Sequence, residues 1–203
     1  MYFTANRTSN KLYLNQGGFR LKDITEQAGV GGKQAWSTGV GFADVNNDGF
    51  LDIYVCNSGD VQGDNKANEL FINNGTTGSI DEVRFTESAD MYGVADKGYS
   101  THSAFFDYDN DGDLDLYLLN NSSTPIVDFI KHGYKNTRNE RDALGGDKML
   151  RNDDGVFRVV TEEAGIFGSQ IGFGLGVSVG DINKDGWLDI YVSNDFLKEI
   201  CSM

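Results

Sequence analysis

The chain has 203 residues, of which 39% are hydrophobic and 24% charged, a length and balance that allow one buried core and argue against a disordered or fibrous chain. Lys and Arg total 17 against 31 Asp and Glu, and the net charge of −14 speaks against nucleic acid or an anionic membrane surface as a partner. Nowhere do the roughly 18 consecutive apolar residues of a membrane span occur, MYFTANRTSN at the N-terminus carries no export signal, and two cysteines, Cys56 and Cys201, are too few for a disulfide framework or a zinc site.

The 26 Gly and single Pro predict many short strands joined by Gly-bearing turns, an all-β chain. NKLYLNQGGFRLKDITEQAGV, from Asn10, reads as a hairpin followed by a turn and fills a half unit over 10–35. A full unit then runs over 36–98. WSTGVGFAD, from Trp36, is a strand of small residues, LDIYVCN a buried apolar strand in which Cys56 is a small hydrophobe, and NELFINNG with VRFTESADMYGV another hairpin. The next unit, 99–170, repeats the order with YSTHSAFFD, LDLYLLN and DKMLRNDDGVFRVVTEEAGI, and a last half unit, 171–195, holds FGLGVSVGD and LDIYVSN. Gly39, His102 and Gly176 share one position, and small residues at period two predict innermost strands crowded around an axis.

Between the first two strands of each unit lies one nine-residue pattern: DVNNDGFLD from Asp44, DYDNDGDLD from Asp107 and DINKDGWLD from Asp181. Acidic or amide side chains fall at positions 1, 3, 5 and 9 with Gly at 6, a spacing that turns alternate oxygens toward one centre and suits Ca²⁺. An EF-hand is excluded, since position 12 needs Glu and holds Val55, Leu118 or Val192. Three ions are expected. The first takes Asp44, Asn46, Asp48 and Asp52, the second Asp107, Asp109, Asp111 and Asp115, and the third Asp181, Asn183, Asp185 and Asp189, with main-chain carbonyls from Phe50, Asp113 and Trp187. Four carboxylates in the second loop predict the tightest site there.

Four strands per repeat, recurring from Asp44 to Asp107 and again to Asp181, is the organisation of a propeller blade: two full blades and two half blades, about three blade equivalents. With the loops running into LDIYVCN, LDLYLLN and LDIYVSN and paired with the LYLNQGGFRLKDITEQAGV stretch, the chain resembles FG-GAP or VCBS-type calcium-binding propeller repeats, related to those of integrin α subunits and close to the cartilage-acidic-protein-like group. The resemblance implies Ca²⁺ at the blade turns and a module for adhesion or ligand binding outside the cytoplasm. Family propellers close with more blades than this chain supplies, which leaves three arrangements: a fragment of a longer propeller, two halves that complete a blade within one molecule, or a homo-oligomer formed through open blade edges.

The 121–146 insertion breaks the β pattern and carries Lys131, Lys135, Arg138 and Arg141, cations that either contact a partner or balance nearby acid. His102 is placed to line the channel, and neither it nor His132 has a nucleophile or ligand set beside it. Asn6, Asn74, Asn120 and Asn121 begin Asn-x-Ser/Thr triplets. The expected function is a non-catalytic calcium-clamped propeller that binds protein or carbohydrate. The alternative is the accessory propeller of a secreted polysaccharide lyase or hydrolase whose catalytic residues lie elsewhere.

Overall fold

A computed structural model describes residues 1–33, 36–58, 67–76, 82–122, 124–131 and 137–195. His132, Lys135 and Cys201 lie outside the described residues. The strands are β1 (Tyr2–Phe3), β2 (Lys11–Asn15), β3 (Leu21–Asp23), β4 (Ser37–Ala43), β5 (Asp52–Asn57), β6 (Glu69–Asn73), β7 (Phe85–Glu87), β8 (Ser100–Phe106), β9 (Asp115–Asn120), β10 (Lys148–Asp153), β11 (Val156–Val159), β12 (Gly174–Gly180) and β13 (Asp189–Asn194). They form antiparallel sheets in sequence order, β1-β2-β3, β4-β5-β6-β7, β8-β9-β10-β11 and β12-β13. The fold is an all-β, propeller-like array of blades.

The second strand of each full blade is buried along its whole length, because side chains of alternating parity serve two neighbours. Ile53 and Val55 pack with Tyr2, Leu12 and Ile24 of the first sheet, whereas Tyr54 and Cys56 pack with Leu116 and Leu118 of the third. Tyr117 and Leu119 meet Ile190 and Val192 of the last sheet in the same way. Three apolar layers between four sheets therefore make the core.

Innermost strands β4, β8 and β12 stand side by side. The hydroxyl of Thr38 donates to the Ser100 carbonyl at 2.7 Å and that of Thr101 to the Gly174 carbonyl at 3.2 Å. A Cβ on Gly39 would lie 2.5 Å from the Thr101 carbonyl oxygen, so only Gly lets the strands approach this closely. The small-residue stripe lets neighbouring inner strands crowd together.

The first sheet differs from the expected half blade, which began at Asn10. Tyr2 and Phe3 pair with Leu12 and Lys11 and add a third strand. Tyr2 faces Leu12 as Tyr54 faces Leu70 and Tyr117 faces Met149, so β1 is the counterpart of β5 and β9. Its hydroxyl donates to the Val30 carbonyl at 2.7 Å, as that of Tyr54 does to Val94 at 2.9 Å. A two-residue strand has no periodicity to read. Because β1 and β13 both occupy the second-strand place and lie in separate sheets, the two half units do not complete one blade among the described residues.

Two four-residue helices, α1 (Thr25–Ala28) and α2 (Ala89–Tyr92), occupy the turns after β3 and β7, each closed by a left-handed Gly, Gly29 at φ 76° and Gly93 at φ 77°. The insertion contains α3 (Ile126–Lys131). No helix among the described residues is long and apolar enough to cross a membrane.

Candidate metal loops

All three acidic loops close on the same hydrogen bonds. In the first, both oxygens of Asp44 accept main-chain amides, from Asp48 at 3.0 Å and Gly49 at 2.7 Å, and Asp48 Oδ1 accepts the Phe50 amide at 2.8 Å. In the second, Asp107 accepts Asp111 at 3.1 Å and Gly112 at 3.0 Å, and Asp111 accepts Asp113 at 2.9 Å. In the third, Asp181 accepts Asp185 at 3.1 Å and Gly186 at 3.0 Å, and Asp185 accepts Trp187 at 2.9 Å. Two left-handed residues make the curl: Asn47, Asn110 and Lys184 at position 4, with φ between 56° and 64°, and Gly49, Gly112 and Gly186 at position 6. The pattern shows why Gly recurs at position 6 and why Asn suits position 4.

The ninth residue ties each loop to the sheet. Asp52 accepts the Val45 amide at 3.0 Å and, across the blade, the Asn73 amide at 2.8 Å. Asp115 does the same with Tyr108 and Asn152, both at 2.8 Å. Asp189 accepts Ile182 at 2.8 Å. Asp52 and Asp115 are fully buried, and burial pushes both carboxyls up, Asp115 to about 6, against the opposing pull of those amides.

Asp107, Asp109 and Asp115 bring one oxygen each within 4.8 Å of one another, the single such acidic group among the described residues. Asp109 Oδ1 is buried without a hydrogen-bond partner, and burial followed by the nearby Asp111 raises its pKa. Asp111, expected in the same set, lies outside this group of three. Asn46 and Asn183 replace Asp109 in the other loops, and each donates Nδ2 to the Asp at position 5, Asp48 at 3.0 Å and Asp185 at 2.8 Å. Asp185 is held below the usual carboxylate range by the Trp187 amide first and Asn183 next. The side chains of Phe50 and Trp187 are exposed, while Asp113 accepts a 2.9 Å hydrogen bond from Asn47 of the preceding loop. A donor set made wholly of hard oxygens, with a buried carboxylate and an orphaned oxygen in the second loop, fits a cation such as Ca²⁺.

Comparison with known families bears on the repeat. The FG-GAP-like repeat family matches residues 2–55, and the FG-GAP repeat family matches residues 173–198. These two segments are similar to FG-GAP-type repeats. Both matches include a loop, and the second loop, which neither covers, has the same wiring as the other two. No curated protein matches the chain.

Among the residues singled out from sequence, His102 sits on inner strand β8 with Nδ1 buried and unpartnered. Arg138 stacks 4.0 Å over the Phe167 ring, and Arg141 Nε donates to Glu162 at 2.8 Å, so both fasten the insertion to the third blade. Asn120 is buried and bonded to Ser100 and Gly146, which closes that triplet to glycosylation, whereas Asn6 and Asn74 are exposed. A half-buried acid that sequence reading missed is Asp147. The signal was present in the repeat, since Asn10 and Asn68 hold the equivalent place.

Proposed function

We propose that this chain is a non-catalytic propeller module, stabilised by calcium at its three loops, that binds protein or carbohydrate outside the cytoplasm. The observation that carries the reading is the loop wiring repeated three times, in which the ninth-position carboxylate is held by its own loop in all three and by the third strand as well in the first two. Asp44, Asn46, Asp48 and Asp52, Asp107, Asp109, Asp111 and Asp115, and Asp181, Asn183, Asp185 and Asp189 would hold one ion each, joined by the carbonyls of Phe50, Asp113 and Trp187. Bound Ca²⁺ would supply the positive charge that these clustered carboxylates lack.

The protein's own residues then set the loop rim. Phe50 and Leu51 of the first loop are 41% and 60% exposed, and Ile182 and Trp187 of the third are 74% and 55% exposed. Apolar and aromatic side chains held out on a rigid acidic turn suit contact with a protein surface or a sugar ring.

Thermal melting with added calcium and then with chelator tests the reading. A melting temperature raised by calcium and restored by chelator is the expected result, and a metal-independent melt would remove the structural role. Binding to glycan arrays and to immobilised matrix proteins, with calcium present, then identifies the ligand class.

A further inference from the structure

The second and third blades share a polar link between their second and third strands, and one atom differs. In the second blade Asn68 Oδ1 accepts the Asn57 amide at 2.8 Å, and its Nδ2 donates to the Tyr54 hydroxyl at 2.9 Å. The Tyr54 hydroxyl is thereby free to donate to the Val94 carbonyl at 2.9 Å, which pins the turn after β7. In the third blade Asp147 replaces Asn68. Its Oδ1 accepts the Asn120 amide at 2.8 Å, but its Oδ2 accepts from the Tyr117 hydroxyl at 2.8 Å. An ionised carboxylate has no hydrogen to give, so the direction of the tyrosine bond is reversed.

The reversal reaches the insertion. Ile166 stands where Val94 stands, packs in the same core as Tyr117, and its carbonyl accepts Arg141 Nη2 at 3.2 Å. Arg141 belongs to the insertion and also holds Glu162. We propose that Asp147 is a proton-controlled fastener of the insertion: ionised, it holds the Tyr117 hydroxyl and leaves the Ile166 carbonyl to Arg141; protonated, it takes the donor role of Asn68 and releases that hydroxyl to the carbonyl.

Asp147 lines a cavity of about 440 Å³ between the insertion and the turn after β11. Charged neighbours come from every side of it: Lys148 on the same strand, paired with Asp96 of the preceding blade; Arg141 and Asp142 of the insertion; Glu162 and Glu163 of the turn. Each cation already has a carboxylate of its own. Burial raises Asp147 to about 6, opposed by the Asn120 amide and the Tyr117 hydroxyl. A folded-state value above the unfolded one means that the native chain holds the proton more tightly. Stability from this group is present at low pH and lost as pH rises from about 4 through about 6, up to about 100-fold in the folding constant.

Urea unfolding and hydrogen exchange of the full chain at about pH 7.5 and about pH 5 test the proposal, comparing wild type with Asp147→Asn and with Tyr54→Phe as a control. Asp147→Asn installs the residue found at positions 10 and 68, and its stability advantage over wild type is expected to be about tenfold larger at the higher pH than at the lower. Exchange in 137–146, corrected for the intrinsic effect of pH, is expected to speed up on acidification in wild type and to be fast at both pH values in Asp147→Asn. The Tyr54→Phe loss is expected to be independent of pH. Parallel stability profiles for wild type and Asp147→Asn overturn the proton control, and exchange in 137–146 that ignores both pH and the substitution overturns the link to the insertion. The comparison at matched pH cancels titration of Asp115 and is unaffected by whether calcium binds.

Discussion

Replacing Gly39 with Ala probes the closest approach between blades. The new methyl carbon would stand 2.5 Å from the Thr101 carbonyl oxygen and 3.0 Å from His102 Cα, both main-chain atoms of the adjoining inner strand. Relief to ordinary contact requires the strands to separate by nearly an ångström, which also stretches the 2.7 Å bond from Thr38 to the Ser100 carbonyl. Overpacking of this kind costs about 1–3 kcal/mol, and the weakened hydrogen bond adds about 1 kcal/mol. Gly39→Ala should therefore lose about 2–4 kcal/mol in urea unfolding. Gly180→Ala, with open space at the Cβ position, serves as the control and should change little. A Gly39→Ala protein within about 0.5 kcal/mol of wild type would refute the idea that inner strands crowd around an axis.

Asp115→Ala strips the acceptor from the part-buried amide of Tyr108 and the buried amide of Asn152 and should destabilise by about 2–5 kcal/mol in chelator, with Asp115→Asn milder and both blunting any calcium response in the same denaturation assay. Cys56 is fully buried and its thiol is pushed up to about 12 by burial, so a thiol reagent should label it only at the rate of unfolding. Glu69 is buried, accepts the Lys33 amide and Asn57 Nδ2, and is raised by burial. Its folded form binds the proton more tightly than the unfolded chain, so it favours folding at low pH and loses that contribution as pH rises. Glu69→Gln should flatten this part of the stability profile above about pH 4, read by unfolding at matched pH.

How much of this was visible beforehand depended on length and repetition. The three loops and the long second strands were legible because their pattern recurs: Asp52 and Asp115 begin apolar runs that reappear in phase, and a run buried on both faces is hydrophobic throughout. Strand β1 and helices α1 and α2 were not, since elements of two to four residues hold no full period and are formed by tertiary contacts such as Tyr2 with Val30. The left-handed position 4 was hidden because Lys184 shares it with Asn47 and Asn110, and nothing in Lys declares a positive φ. Asp147 heads its hairpin as Asn10 and Asn68 head theirs, and its pairing with Tyr117 shows it to be an altered amide position.

The loops bind more than two strands together. Asp52 reaches back to Val45 at the start of its loop and across to Asn73 at the end of the third strand, so one carboxylate sets the spacing of β4, β5 and β6. Asp115 repeats this for β8, β9 and β10 through Tyr108 and Asn152. Beside β13 the described residues hold no third strand, and Asp189 is only partly buried, with the Ile182 amide as its link. The extra burial of Asp52 and Asp115 makes an uncompensated charge there more costly than at Asp189, and a bound cation correspondingly more stabilising. Calcium affinity should therefore follow blade completeness as well as carboxylate count: the second loop, with Asp109 and a complete blade, tightest, then the first, then the third. Stepwise calorimetric titration of wild type against Asp48→Ala, Asp111→Ala and Asp185→Ala reads that order. Loss of the tightest step in Asp185→Ala would show that the third strand does not govern the clamp.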